Sequence, residues 1–515
     1  MSEGVIEAAS PASPKLERGL GTLDATMIGI GSMIGSGIFI VSADVSKFLG
    51  APGWLMLAWI VAGMLTVFGS PCAAEVAAMM PRAGGQYVFI REAYGPALGF
   101  VFGWSTLLVI QTGTIAAVAV AFAKFLGVFL PDVSDKQYLF NPWHFGASGY
   151  AVALTTQQAV AIALILLLTW INTRGLRSGA IIQNTFTFTK TAALLGLIVV
   201  GIFHAKNPLA AAWSSSWWDS TANGWSLEGG AKAAGIDALP VAGFLGFLIL
   251  FGKAMVGPLF SQTGWNGVTF TGGEIRDPGK TLPRALLIGC GTVVALYLMA
   301  NAAYVLTLSL AEIQNAENGR VGTATMEKIF PSFGAKLMAA GIMVSTFGCV
   351  NALVLSGARV YYAMAQDGLF FRRAGVNNAH HVPAFSLIAQ GLWAALLVLP
   401  LTVRLHPETA EPQYGNLYGQ LLDYIVPVDL IFYALMVGSV IVLRIRRPDA
   451  QRPYRAIGYP VTPVIYIALA VLLVANFIVL SPKVSGIGFL IALSGLPVYL
   501  IWSRLGRPAA GNPPR

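Results

Sequence analysis

Ile28-Gly29-Ile30-Gly31-Ser32-Met33-Ile34-Gly35-Ser36-Gly37-Ile38-Phe39 sits in an apolar run near the start of the chain, with four glycines within nine residues. Each glycine costs about 1 kcal/mol of helix propensity relative to alanine, so the run resists forming one continuous helix. Farther along, Gly257-Pro258-Leu259-Phe260-Ser261-Gln262-Thr263-Gly264-Trp265-Asn266-Gly267 again places helix breakers in an apolar stretch. These interruptions matter because of the solvent around them. The 515-residue chain is 56% hydrophobic and 11% charged, with mean hydropathy +0.69, whereas a soluble domain carries about 25% charged residues. Uncharged runs of about 18 residues or more recur along its length and read as membrane spans. Lipid cannot solvate an unpaired peptide group, so the spans must be helices or a closed barrel. The short alternating strands of a barrel are not the pattern here. An all-α polytopic membrane protein follows; a soluble enzyme, a nucleic-acid binder and a secreted disulfide scaffold are excluded.

Twelve spans are expected, centred near Met33, Thr66, Thr112, Ala163, Leu194, Phe260, Leu296, Val350, Leu392, Leu435, Ala470 and Leu493. With a cytoplasmic N-terminus, loops 80–96, 172–178, 274–284, 359–381 and 444–455 face inward together with the C-terminal tail. Of the 32 Lys and Arg residues this map places twenty inside and ten outside, with Lys190 and Lys253 within spans. Positive charge is retained on the cytoplasmic side, so both termini are expected there, with the multi-pass protein in the plasma membrane (the inner membrane if the source is a Gram-negative bacterium). Residues 1–20 are polar, without the apolar core of a cleavable signal. Cys72, Cys290 and Cys349 read as small hydrophobes within spans. His144, His204, His380, His381 and His406 fall in loops, and no Cys/His spacing suits a metal. Neither a metal nor a cofactor is expected.

The spacing of the interruptions organises the chain. They fall in spans 1 and 6, so spans 1–5 and 6–10 become two halves that each open on a discontinuous helix. That is the sequence pointer to an inverted-repeat transporter with its substrate site at the midplane. Small-xxx-small spacing such as Gly31–Gly35 also serves tight helix packing without a ligand; the second interruption five spans later favours the transporter. The expected division is a tail (1–20), a first repeat (21–205), a second repeat (206–445) with an outer loop at 206–239, spans 11–12 (446–503) and a tail (504–515). Free N–H groups at a half-helix N-terminus suit a carboxylate, and free carbonyls at a half-helix C-terminus suit an ammonium. A small zwitterion presents both.

Several motifs carry a resemblance. Ile30 to Phe39 resembles the first-helix signature of the amino acid–polyamine–organocation superfamily. Pro81-Arg82-Ala83-Gly84-Gly85-Gln86-Tyr87, Gly264-Trp265-Asn266, Glu274-Ile275-Arg276-Asp277-Pro278, Leu282-Pro283-Arg284, Arg446-Arg447-Pro448 with Arg452-Pro453-Tyr454, and Ser494-Gly495-Leu496-Pro497-Val498-Tyr499 are similar to its L-type amino acid transporter branch. The resemblance runs from about Leu20 to Trp502. It implies a LeuT-type 5+5 inverted repeat with twelve transmembrane helices, helices 1 and 6 discontinuous. It further implies alternating-access movement of L-amino acids, neutral ones first, by sodium-independent exchange. Proton-coupled symport, extending to cationic amino acids, is the alternative.

Carried over by the resemblance, the carboxylate falls to the Ser36 hydroxyl and the Gly37 N–H, with Ser32, Met33, Ile34 and Gly35 nearby. The ammonium falls to the carbonyls of Met33, Phe260, Ser261 and Thr263. Thr263 stands where the family usually has a glycine before Gly264 and trims the pocket. Phe260 matches the aromatic that closes over substrate from outside; Asn266 and Asn351 match polar positions near the site. Lys190 lies deep in span 5, where an ionisable group is a functional hypothesis by default, and the resemblance puts a lysine where sodium-coupled relatives bind an ion. Its expected partners are carbonyls near Gly29–Ile30 and polar groups near Ser345 and Thr346. Lys253 reads as an outer-vestibule lysine. Glu75 and Asp429 read as paired structural or gating charges, with a cationic substrate following if Asp429 faces the pocket. Trp213, Trp217, Trp218 and Trp225 in the outer loop read as interface anchors.

The partners expected are the amino acid and the lipid bilayer, without nucleic acid. Animal L-type relatives are tethered to a glycoprotein through a cysteine in the loop between spans 3 and 4, and here Pro131 to Tyr150 contains no cysteine. The purified single chain is expected to transport in liposomes; inactivity rescued by a second protein would refute this.

Overall fold

The computed structural model describes residues 19–505 other than 83, 145–148, 176–178, 206–213, 237–238, 381, 406–411 and 481. The expectations for the two tails fall almost wholly outside the described residues, as do those for His381, His406 and Trp213. Within them the chain is mostly helical. Eleven helices are long and apolar enough to cross a membrane: Thr22–Leu49, Pro52–Met79, Pro96–Leu126, Thr156–Thr173, Asn184–Phe203, Gly243–Gln262, Pro278–Thr307, Gly334–Gln366, Leu417–Arg446, Val461–Leu480 and Ser485–Arg504. They match the expected spans 1–8 and 10–12. Span 9 is the shorter helix Ala384–Leu397, because Pro400 opens a strand in place of another helical turn.

Span 1 breaks as expected, into Thr22–Met33 and Gly37–Leu49, with Ile34 in extended conformation between them. Span 6 breaks later than its proline suggests. The helix runs on through Val256–Gln262 and opens only at Thr263–Asn266, before the single turn Gly267–Phe270. Pro258 falls in the first turn of Val256–Gln262, where a missing N–H costs little. Span 3 holds a feature the composition did not announce, a π-helical turn at Thr106–Ile110 that hands over to Gln111–Leu126. Such turns rotate the residues that follow them and favour functional sites.

A small sheet joins the loops of this mostly helical fold. Strands β1 (Tyr138–His144), β2 (Tyr150–Thr155), β3 (Pro400–Leu405) and β4 (Pro412–Tyr414) form an antiparallel sheet in that order. It joins the loop after span 3 to the loop after span 9, with Ala151 opposite Leu401. The partner strand lies some 250 positions away in sequence, with Ala151 pairing Leu401, so local pattern did not reveal it. In the loop between spans 5 and 6, Trp225 packs against the end of span 1 and Trp218 against the start of span 2. Trp225 donates its indole N–H to the Lys47 carbonyl (3.1 Å), and the Trp218 carbonyl accepts from Trp54 (2.8 Å).

The opposite face gathers the loops that the charge count grouped together. Arg359 pairs with Glu274 at 2.9 Å and Arg447 with Glu92 at 2.8 Å, while Asp367 binds both Arg91 and the Tyr87 hydroxyl. Both ends of the described chain dock here. The Gly19 and Leu20 N–H groups donate to the Glu274 carbonyl, and the Trp502 indole donates to the Gly368 carbonyl. Glu75 is 1% exposed and takes a two-pronged grip from Arg444 at 2.9 and 2.6 Å, plus the Ala456 N–H at 2.6 Å. This carboxylate ties span 2 to span 10 and to the segment before span 11.

Glu75→Ala leaves Arg444 and the Ala456 N–H without their acceptor. Breaking a buried ion pair costs about 3–5 kcal/mol, and part-exposure of Arg444 places the loss near or below the low end. A lowered thermal unfolding midpoint in detergent is the expected result, with Glu75→Gln losing less.

Candidate functional site

Glycine sets how closely the two broken helices approach. A Cβ at Gly37 would lie 2.0 Å from the Ser261 hydroxyl oxygen, and one at Gly264 would lie 2.8 Å from the Ser32 carbonyl oxygen. Gly264 also has φ +89°, a backbone region that side chains with a Cβ rarely enter. The second half of span 1 therefore lies against span 6 before its break, and the first half lies against the break itself.

Between them is a cavity of about 60 Å³ lined by Ser32, Met33, Gly35, Gly37, Phe260, Ser261, Thr263, Gly264 and Asn266. A single water needs about 10–15 Å³ on this measure, so the space is a few waters in size. Of the expected site residues three do not line it. Ile34 is fully buried beside it. Ser36 is buried with its hydroxyl 3.0 Å from that of Tyr418. Asn351 accepts from Asn172 at 2.8 Å, which ties span 8 to span 4.

The ends of the first half-helix are already occupied in part. The Lys190 ammonium donates to the Gly31 carbonyl and, at 2.9 Å, to the Ile34 carbonyl. These replace the expected acceptors at Gly29–Ile30, because the carbonyls that lack an intrahelical donor are those of the last turn. The Ser345 and Thr346 expectation also fails: the Thr346 hydroxyl donates to the Ile342 carbonyl at 2.8 Å, and the Ser345 hydroxyl is buried without a partner. The Tyr297 hydroxyl donates to the Met33 carbonyl at 2.9 Å. The Met33 carbonyl thus has one lone pair not used by Tyr297. At the start of the second half-helix the Phe39 N–H donates to the Ser36 carbonyl at 3.1 Å, while the N–H groups that open the turn have no acceptor within the helix.

Two tyrosines of span 10 brace the cavity, Tyr433 in its wall and Tyr418 behind it. Tyr418 meets Phe260 edge-on, with ring centroids 6.2 Å apart, and holds Ser36. Tyr433 accepts from the Gly264 N–H and donates to the Asn266 side-chain carbonyl, both at 3.0 Å, while Asn266 donates to Gln86. Gln111, turned inward after the π-helical turn, lines the cavity and donates to the Leu353 carbonyl at 2.7 Å. Thr114, Cys349 and Asp429 also line it. Gln111 carried a sequence signal as an amide inside an apolar span; the tyrosines carried none, since the other Tyr residues of the chain look alike in sequence. Lys253 pairs with Asp423 at 2.6 Å and lines a separate cavity with Asp44. Asp429, expected to be paired, makes no hydrogen bond or ion pair among the described residues.

Broken helices that meet around a small polar cavity in the middle of a helical membrane protein define a transporter. The chain belongs to the amino acid permease family, matched over residues 20–502, and has its LeuT-type fold. It is similar to the serine/threonine exchanger SteT of Bacillus subtilis (strain 168), 29% identical over 94% of this chain and 96% of the relative. The human large neutral amino acids transporter small subunit 2 is 29% identical over 94% of this chain and 80% of its own. The human b(0,+)-type amino acid transporter 1 is 25% identical over 97% and 91%. The protein is an amino acid transporter of the membrane and not an enzyme.

Gly37→Ala is expected to abolish substrate binding while membrane insertion persists, because its methyl group collides with Ser261. Gly37→Ala combined with Ser261→Gly is expected to recover binding in part, measured as labelled amino acid retained by the purified protein.

Proposed function

We propose that the protein exchanges small neutral L-amino acids across the plasma membrane without sodium, as a single polypeptide with both termini in the cytoplasm. In this reading residues 21–205 and 206–445 are the two inverted halves. The cavity-lining residues of spans 1 and 6 hold the substrate, with Ile34, Ser36 and Asn351 shaping the wall behind them. The N–H groups around Gly35–Gly37 take the carboxylate, and the carbonyls of Met33, Phe260, Ser261 and Thr263 take the ammonium.

The observation that carries sodium independence is Lys190. Its ammonium places a fixed positive charge on the Gly31 and Ile34 carbonyls, the kind of oxygen set a sodium ion would require. A cation supplied by the chain needs no ion from solution. Exchange follows if that charge stays through the cycle, and two carbonyl acceptors favour the charged form. The small cavity supports small side chains, in keeping with a relative that exchanges serine and threonine.

Proteoliposomes loaded with unlabelled serine test the proposal. Labelled serine is expected to accumulate equally with sodium or choline outside, and little without internal substrate. Ethanolamine, serine without its carboxylate, is expected to compete far more weakly. Lys190→Ala is expected to lower exchange by about tenfold or more, the equivalent of about 1.4 kcal/mol. A sodium requirement in the wild type would refute the role of Lys190.

A further inference from the structure

Three other buried charges of the bundle have partners among the described residues. Glu75 has Arg444, Lys253 has Asp423, and Lys190 has two carbonyls. Asp429 differs. It lies in span 10, 6% exposed, on the wall of the substrate cavity. Among the described lining residues it is the one that carries a full charge. The groups that face it are neutral in kind: Tyr433 one turn on, Tyr466 of span 11 within electrostatic range, Cys349 of span 8 and the Gln111 amide of span 3. A carboxylate enclosed in a low-dielectric site without a cation is costly. An α-amino acid does not relieve that cost, because its two charges are met by the half-helix ends and its net charge is zero. The closed, loaded cavity lacks one positive charge.

We infer that Asp429 makes each loaded cavity carry one positive charge beyond the zwitterion. For a neutral amino acid that charge is a proton on the Asp429 carboxylate. For a short cationic amino acid it is the side-chain ammonium, paired with the ionised carboxylate. The proton binds a carboxylate oxygen from the side on which substrate enters and leaves to water on the other side. Neutral-for-neutral exchange then moves no net proton. Exchange of a neutral amino acid for a cationic one carries one proton against one cation and is electrically silent. The inference rests on the exchange reading above and names what that site demands of its cargo.

The test uses the full chain in liposomes that contain ornithine and a pH-sensitive dye, with serine outside. The interior is expected to acidify by about one proton per serine taken up, as the buried carboxylate requires. With Asp429→Asn the proton-to-serine ratio is expected to fall to zero. Its ornithine-to-serine transport ratio is expected to fall by roughly thirtyfold or more, the size of effect seen when one partner of a buried charge pair is removed. Asp429→Glu is expected to keep both ratios. Three results overturn the inference: serine entry against ornithine without acidification, refusal of ornithine by the wild type, or an Asn variant with unchanged ratios. Serine-for-serine exchange in parallel liposomes loaded with serine separates the two readings. Its presence alongside a failed proton count sinks this inference alone, and its absence sinks the exchange reading together with it.

Discussion

The structure depends on one contact, the ammonium of Lys190 against the last carbonyls of the first half of span 1. A helix that stops in mid-membrane leaves several carbonyls without donors, and hydrocarbon offers none. Lys190 is 1% exposed, so its charge likewise has nowhere to go but those oxygens. Each group makes the other tolerable. The broken helix exists because a cation from span 5 caps it, and a lysine is admitted to the interior because a broken helix faces it. Tyr297 adds a neutral donor at the Met33 carbonyl from span 7, so three spans converge on one helix end.

Around that point, close packing replaces bulk hydrophobicity as the organising force. Between helices in lipid, association rests on van der Waals fit and interhelical hydrogen bonds. Gly37 and Gly264 let backbone meet backbone, and Gly267 would place a Cβ 2.8 Å from the Ser32 hydroxyl oxygen. The same glycines that weaken the helix make the cavity small. Break and pocket are two consequences of one composition, which is why substrate selection and helix interruption occur in the same residues.

Tyr418 and Tyr433 brace the site. Both lie on span 10, fifteen positions apart in the numbering, about four turns of helix, so one rigid element holds both broken helices. Tyr418 engages the second half of span 1 through Ser36, and Tyr433 engages the break of span 6 through Gly264 and Asn266. Movement of span 10 relative to the broken helices would loosen these contacts together or in turn. Asp429 lies between the two tyrosines on the same helix, which puts the unpaired charge where closure would enclose it.

Much of this was legible in the sequence. Lipid removes every backbone solution except the helix, so long apolar runs specify spans, and glycines within them specify where a span fails; Gly29 to Gly37 did both. Lys190 was legible for the same reason, since an ionisable group at that depth needs a function. Partners across space were not legible. Sequence distance does not order Gly31 ahead of Gly29, and only the register of span 5 against span 1 selected the Gly31 and Ile34 carbonyls. The stretch Gly257 to Gly267 holds several helix breakers, and only the structure separates Pro258, harmless in a first turn, from the break at Thr263–Asn266. The β1–β4 sheet joins two loops far apart in the chain, and the cavity-facing side of Asp429 followed from the rotation of span 10. The sequence by itself determined which segments enter the membrane and where they cannot stay helical, because solvation of the backbone is a local demand. Tertiary structure decided which side chain answers each exposed backbone group and which charge is left unanswered, because those depend on how the helices rotate and slide against one another.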